Sequence, residues 1–364
     1  NLEWINTLEE KGIHVAYGTL GLKTHTKTAL IVREEDEGVQ LYSHVATGNY
    51  HSGTAKGYED LGLLTADRTI GNDLVRLFNS FMGPGLSDQY DRLLIAPSTM
   101  REEFTWLIKR EAQHAQDGRP ARIVVKINSL EDPEMIRELY RASMAGVDID
   151  LIVRDICRLR PGLSGVSERI AVHSLVGSFL EHSRIYYFEN AGDPEYYIGS
   201  ADWMTRNLNN RVEAVAPVTD PEICRRLKSI LELVLADNRN RWRMHSDGSY
   251  KQQCPADGES VVAAQPTLME RTRNTSRTHM EESVVSSTDI ILDSVATPTV
   301  SGTCLDGERV AQNEGTPETE AAEPGDVRTN TDLQTSEIKP KQKIIYLYIL
   351  FLISASFTYI YVII

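Results

Sequence analysis

The feature that most constrains this chain is a duplication. Residues Gly21-Leu22-Lys23-Thr24-His25-Thr26-Lys27-Thr28-Ala29-Leu30-Ile31-Val32 set a His-x-Lys at the head of an apolar, β-branched run that reads as a buried strand. Glu181-His182-Ser183-Arg184-Ile185-Tyr186-Tyr187-Phe188 repeats the arrangement with arginine for lysine. Downstream, Ala46-Thr47-Gly48-Asn49 and Gly199-Ser200-Ala201-Asp202 match type for type, and the eleventh residue beyond each is a carboxylate, Asp60 or Glu213. Upstream, each copy shows a helix, a glycine stop and a strand: Leu2–Lys11, Gly12, Ile13–Tyr17, and Pro133–Ala145, Gly146, Val147–Val153. A repeat of this kind outweighs any single motif.

Each copy therefore contributes one histidine, one cation and one carboxylate. Burying such groups in a strand costs several kcal/mol unless something anionic meets them. A neutral imidazole is a nucleophile whose second nitrogen a carboxylate can orient. A second, protonated imidazole can hand its proton to a leaving oxygen, and lysines or arginines between them hold phosphoryl oxygens. The constellation points to phosphoryl transfer through a phosphohistidine. Lys23, Lys27 and Arg184 are candidate phosphate contacts, and His44 and Asn49 candidates for hydrogen bonds that fix the loop.

The pattern along the chain is that of an α/β protein with mixed sheets. Residues 1–88 form the first domain: strands over 26–33 and 39–45 flank the turn Glu34–Gly38, and a helix around 71–81 stops at Gly83-Pro84-Gly85. Residues 89–245 form the second and fuller domain. Its helix from Met100 carries a Thr99/Glu102 capping box; later helices open at Asp132-Pro133 and Asp220-Pro221, the last burying Ile223, Leu227, Ile230, Leu231 and Val234. The first copy has no counterpart of residues 92–130, and the chain begins with Asn1, so the first domain is expected to be cut at its N-terminal side.

Residues 246–342 are dominated by Ser, Thr, Glu and Pro, too poor in apolar area to offset their ordering entropy, and are expected to be a disordered linker. Between Ser246 and Lys343, 9 basic residues meet 17 acidic ones, so much of the chain's net charge of −14 lies there. The remainder is only mildly acidic, and an anionic substrate must be met by a local basic cluster. Residues 343–364 follow as a candidate transmembrane helix, uncharged from Ile344 to Ile364 beyond Lys339, Lys341 and Lys343. As a helix of about 30 Å this run would suit a bilayer, its lysines on the cytoplasmic side. Four dispersed cysteines without a Cys-x-x-Cys pair fit a reducing, cytoplasmic compartment and neither structural zinc nor a disulfide framework.

The blocks Gly21–His25, Thr47-Gly48-Asn49, Leu63-Leu64-Thr65-Ala66-Asp67, Leu159-Arg160-Pro161-Gly162, Phe179–His182 and Gly199–Met204 together resemble the C-terminal half of the polyphosphate kinase family, from about Asn1 to Trp242. The resemblance implies two phospholipase-D-like domains, ATP or ADP and inorganic polyphosphate as substrates, magnesium travelling with the nucleotide, a homo-oligomer and no nucleic acid. It implies that His25 carries the phosphoryl group, that His182 contacts nucleotide phosphates and donates a proton, and that Tyr58 and Arg154 bind ATP phosphates. Asp60 would orient His25, and Glu213 would orient His182. The family's metal-associated arginines belong to upstream parts with no counterpart here, so the chain alone is expected to be inactive or nearly so. Ser178 stands where the family usually has arginine, and Ala46 where it has glycine. The tail and hydrophobic terminus lie outside the family pattern. The rival functions are a phospholipase-D-type phosphodiesterase and a non-catalytic, membrane-tethered polyphosphate binder. The first wants Asp seven residues after each histidine, where this chain has Val32 and Glu189.

Overall fold

The computed structural model describes residues 2–16, 18–83, 85–87, 89–284, 344–351 and 360–363. The chain divides into two units, residues 1–274 with 342–364, and residues 275–341. The fold below is that of the first; of the second, the described residues continue one helix to Val284.

The first half runs α1 (Leu2–Glu10), β1 (His14–Ala16), β2 (Lys23–Thr24), β3 (Thr28–Glu35), β4 (Gly38–Ala46), β5 (Tyr58–Glu59), β6 (Gly62–Thr65) and α2 (Arg68–Met82). The β3–β4 hairpin closes at the charged turn, and β6 lies antiparallel on β4. Asp67 opens α2 by accepting from the amides of Thr69 and Ile70, and the helix buries Ile70, Leu74, Leu77, Phe78 and Phe81 at helical spacing.

The second half runs β7 (Leu94–Ala96), α3 (Met100–Gln116), β8 (Arg122–Ile127), α4 (Pro133–Met144), β9 (Asp148–Val153), β10 (Ile170–Leu175), β11 (Leu180–Glu181), β12 (Ile185–Phe188), β13 (Glu195–Gly199), α5 (Thr205–Asn210), β14 (Arg211–Val218), α6 (Pro221–Ala236) and β15 (Arg241–Met244). Asp132 and Asp220 cap α4 and α6, with proline in the first turn of each. The capping box expected at α3 does not form. Thr99 Oγ1 instead accepts from the amide of Ile95, so the hydroxyl is spent on the turn that precedes the helix.

Strands of the second half other than β11 form one mixed sheet, and alternate residues serve opposite faces. Ile185 and Tyr187 of β12, with Val212, Ala214 and Ala216 of β14, join Leu30, Leu41, Val45 and α2 in one core. Tyr186 and Phe188, with Val215, face α3 and α4 in the other. The first core is thus the layer in which the two halves meet.

Two expectations are corrected. Ordered structure does not stop at 245: β16 (Tyr250–Gln252) pairs with β15, and α7 (Ala264–Val284) follows. Ala264 and Gln265 of α7 are buried, the first in the core; two buried residues at the start of a polar helix leave little periodicity to read. Residues 285–342 of the expected linker lie outside the described residues. The hydrophobic terminus is not a helix where it is described. It gives β17 (Ile344–Phe351), antiparallel to β3, and β18 (Ile360–Ile363), which bridges β17 and β1. Ile, Tyr, Val and Phe are strand formers, and β3 offers an open edge. Among the described residues no helix is long and apolar enough to cross a membrane.

Candidate active site

Two very short parallel ladders, each made of one strand from either half, build the site. In the first, β2 pairs with β14 (Lys23 opposite Arg211, Thr24 opposite Val212), and the amides of His25 and Thr26 both donate to the carbonyl of Val212. The next residues along, His25 and Glu213, are left side by side. In the second, β5 pairs with β11 (Tyr58 opposite Leu180, Glu59 opposite Glu181), and the next residues are Asp60 and His182. Each imidazole consequently meets the carboxylate of the other half.

This reverses the expected assignment. His25 Nδ1 lies 2.9 Å from both carboxylate oxygens of Glu213, and His182 Nδ1 lies 2.7 Å from Asp60 Oδ1. Spacing along the chain identified all four residues but paired each carboxylate with the histidine of its own copy. The parallel ladders exchange them.

An ionised carboxylate only accepts, so Nδ1 carries the hydrogen in both rings and the lone pair of Nε2 is available. Glu213 is fully buried and is held by Ser200 Oγ–H and, at 2.6 Å, by Asn207 Nδ2–H. Asp60 accepts from Thr47 Oγ1–H at 2.7 Å. Gly48 is required beside it, since a Cβ there would lie 2.4 Å from the Asp60 carboxylate. The Gly199–Asp202 turn is fixed from the core: Tyr186, packed against Phe104 and Trp203, donates its hydroxyl to the carbonyl of Ala201 at 2.6 Å.

The cations are interior. Lys27 is fully buried, and its Nζ donates to the carbonyl of His25 at 2.6 Å. Arg184 is also buried. It grips Asp202 through Nε (3.3 Å) and Nη2 (3.1 Å), and donates Nη1–H to the carbonyls of Thr47 and His182 at 3.0 Å each. The same nitrogen lies 3.3 Å from Nε2 of His182. Burial first, and then charges that include Lys27 and Arg184, depress the proton affinity of both imidazoles.

The remaining candidates fall around this centre. The Tyr58 ring lies 5.2 Å from that of His182. Arg154 Nε donates to Asn128 Oδ1 at 2.9 Å, and the amide of Asn128 donates to Asp202 at 2.8 Å, so Arg154 joins the site through Asn128. Asn49 Oδ1 is shielded from solvent with no hydrogen-bond partner among the described residues. His44 bonds Tyr50 at 2.6 Å. Burial and then the charges of Arg211 and Arg206 lower the pKa of Lys23. Sequence reasoning missed the roles of Thr47, Ser200, Asn207, Asn128 and Tyr186. Thr47 and Ser200 stood in the matched small-hydroxyl-small blocks, which was their only signal.

Burial is the main cause that pushes the His25 pKa down to about 4, opposed by Glu213. His182 is lowered for the same first reason. Glu213 is held below the usual carboxylate range because His25 and Lys27 outweigh its desolvation, and burial brings Lys27 down to about 7. These shifts have a consequence for stability. From pH 6.5 down to about 4 the unfolded chain binds more protons at His25 than the folded one, so stability falls as pH falls through that window, and the lowered His182 adds a loss of the same sign. Glu213 adds a loss of the same sign below 4.5. His25 alone accounts for about 3 kcal/mol between pH 7 and pH 4. Urea unfolding at the two pH values should show the loss, and His25→Gln should reduce it.

Comparison with known proteins agrees with this architecture. Residues 1–86 match the family model described as polyphosphate kinase C-terminal domain 1, and residues 93–265 that of polyphosphate kinase C-terminal domain 2. A polyphosphate kinase of Thermosynechococcus vestitus is 54% identical over 272 residues, which are 75% of this chain and 37% of that protein. One from Pseudomonas aeruginosa is 48% identical over 271 residues, 74% of this chain and 39% of that protein. The crystal structure of polyphosphate kinase from Porphyromonas gingivalis superposes with a TM-score of 0.72 at 40% identity, over 76% of this chain and 43% of that one. The chain thus spans about two fifths of the length of the relatives it matches. With both C-terminal domains matched in order, and with relatives near 50% identity across three quarters of its length, the chain belongs to the polyphosphate kinase family.

Proposed function

We propose that this chain carries the phosphoryl-transfer centre of a polyphosphate kinase, its two halves being phospholipase-D-like units, and moves the terminal phosphate of ATP reversibly to inorganic polyphosphate through His25. The observation that carries the reading is the pair of imidazoles, each tied through Nδ1 to the carboxylate of the opposite half. His25 Nε2 forms a bond to the γ-phosphorus as the bond from that phosphorus to the β,γ-bridging oxygen breaks, and ADP leaves. The developing positive charge on His25 is balanced by Glu213. A terminal oxygen of polyphosphate then attacks the phosphorus, and the N–P electron pair returns to Nε2. His182 takes up a proton as phosphate charge arrives and donates it from Nε2 to the leaving oxygen. Tyr58, Arg154, Lys23, Lys27, Arg184 and Asn49 form the polar surround of those phosphates. The relatives carry the name polyphosphate kinase, which favours this reading over a phosphodiesterase.

Magnesium is expected with the nucleotide. Asp60, Asp202 and Glu213 are spent on imidazole or guanidinium groups, and among the described residues no three His, Cys, Asp or Glu side chains converge on a metal position. The steps above run through protein side chains alone.

The test is labelling with γ-32P-ATP, using this chain and a chimera that places the upstream region of the Thermosynechococcus vestitus relative before it. Acid-labile, base-stable label is expected on the chimera and absent from its His25→Ala variant. Label that survives His25→Ala overturns the assignment of the nucleophile. Polyphosphate binding without any labelling of the chimera supports the non-catalytic binder instead.

A further inference from the structure

Lys126 is a cation near the site that no motif pointed to. It lies in β8 between Val125 and Ile127, on the face shared with Val124 that looks into the layer between the halves, and it is 2% exposed. A charge placed there costs several kcal/mol unless it is paired. Its Nζ lies 2.9 Å from Glu59 Oε2, 2.8 Å from Glu181 Oε2 and 2.7 Å from Ser183 Oγ. Glu59 belongs to the first half and directly precedes Asp60; Glu181 belongs to the second and directly precedes His182.

We propose that Lys126 is a positioning residue, which binds Glu59 and Glu181 at once and so fixes the register in which β5 and β11 pair and Asp60 meets His182. The ladder needs such a device. It is two residues long, extended only by the amide of Leu180 on the carbonyl of Gly57 and that of His182 on the carbonyl of Glu59. A slip by one residue would set His182 against Glu59 or Leu61 and turn its neighbours to the wrong face.

The remaining atoms of the clamp are accounted for. Ser183 donates its hydroxyl to Glu59 at 2.7 Å. Gln265 of α7 donates to the other oxygen of Glu181 at 2.7 Å, and exchanges bonds of 2.9 and 2.8 Å with the amide and carbonyl of Phe179. Gly177 leaves room for that amide, since a Cβ there would lie 2.3 Å from Gln265 Oε1. The other pair has no need of Lys126, because Glu213 sits in an eight-residue strand and is held by Ser200 and Asn207.

That asymmetry supplies the control. The importance of the His182–Asp60 pair for catalysis rests on the function proposed above; the geometric claim does not, and its test uses no substrate. In the full chain labelled with nitrogen-15, both imidazoles should show protected, downfield Nδ1–H signals. Lys126→Met is expected to abolish the signal of His182 and leave that of His25. A folded variant that keeps both signals, or loses both together, overturns the proposal. Should Lys126→Met fail to fold, Glu181→Gln retains the Lys126–Glu59 bond and is expected to weaken or broaden only the His182 signal. No change in Glu181→Gln, or equal loss of both signals, is again the overturning result.

Discussion

Replacing Glu213 by glutamine should lower phosphoryl transfer to His25 by about 10⁴-fold, the scale of loss seen where an orienting carboxylate becomes an amide and the imidazole takes the wrong tautomer. The argument is one of proton placement. Glu213 accepts from Nδ1–H, which leaves the Nε2 lone pair toward the substrate. Glutamine can turn its amide N–H toward Nδ1, and the ring hydrogen then moves to Nε2 and blocks attack. With its oxygen toward Asn207 and its NH2 toward Ser200, whose hydroxyl can also accept, glutamine has a partner on each side, so the fold should survive the exchange. Asp60→Asn makes the complementary case. It should also slow labelling of His25, by about 10²-fold, because its partner gives its proton to the oxygen that leaves in that same step. Rapid-quench labelling of the chimera with γ-32P-ATP measures both losses. If Asp60→Asn abolishes labelling and Glu213→Gln does not, the exchange of carboxylates between the halves is wrong.

Arg184→Met should destabilise the protein by about 3–5 kcal/mol, the cost of leaving one member of a buried ion pair uncompensated. Asp202 would keep its charge with only Asn128 as donor, and the carbonyls of Thr47 and His182 would each lose a bond. Arg184→Lys retains the charge but not the planar fork that spans Asp202, and should recover only part of the loss. Urea denaturation at pH 7 measures both. A cost under about 1 kcal/mol for Arg184→Met would mean that the pair is far more hydrated than its burial indicates.

The residues of the site were legible in the sequence because the duplication repeats them in the same order, His25, Asn49 and Asp60 against His182, Asp202 and Glu213, with the carboxylate eleven residues beyond Asn49 or Asp202. Their partners were not. Which carboxylate faces which ring is decided by β2 on β14 and β5 on β11, and two-residue strands have no period to detect. Lys126 left a faint trace as a lysine in the run Ile-Val-Val-Lys-Ile, but its two glutamates lie 67 and 55 residues away in sequence. Helix starts marked by Asp-Pro were readable because the cap is local chemistry. The Thr99 box failed for the opposite reason, its hydroxyl being claimed by the preceding turn. The terminal apolar run was ambiguous from the outset. A stretch of that composition can be a helix in lipid or strands on an open sheet edge, and only the neighbour decides.

The crossed arrangement of imidazoles and carboxylates has a bearing on how such a protein matures. During synthesis the segment that bears His25 emerges well before Glu213 exists, and until the later half docks, that ring has no fixed tautomer. On the proposed function, the Nε2 lone pair of His25 is therefore first held toward substrate when the later half docks.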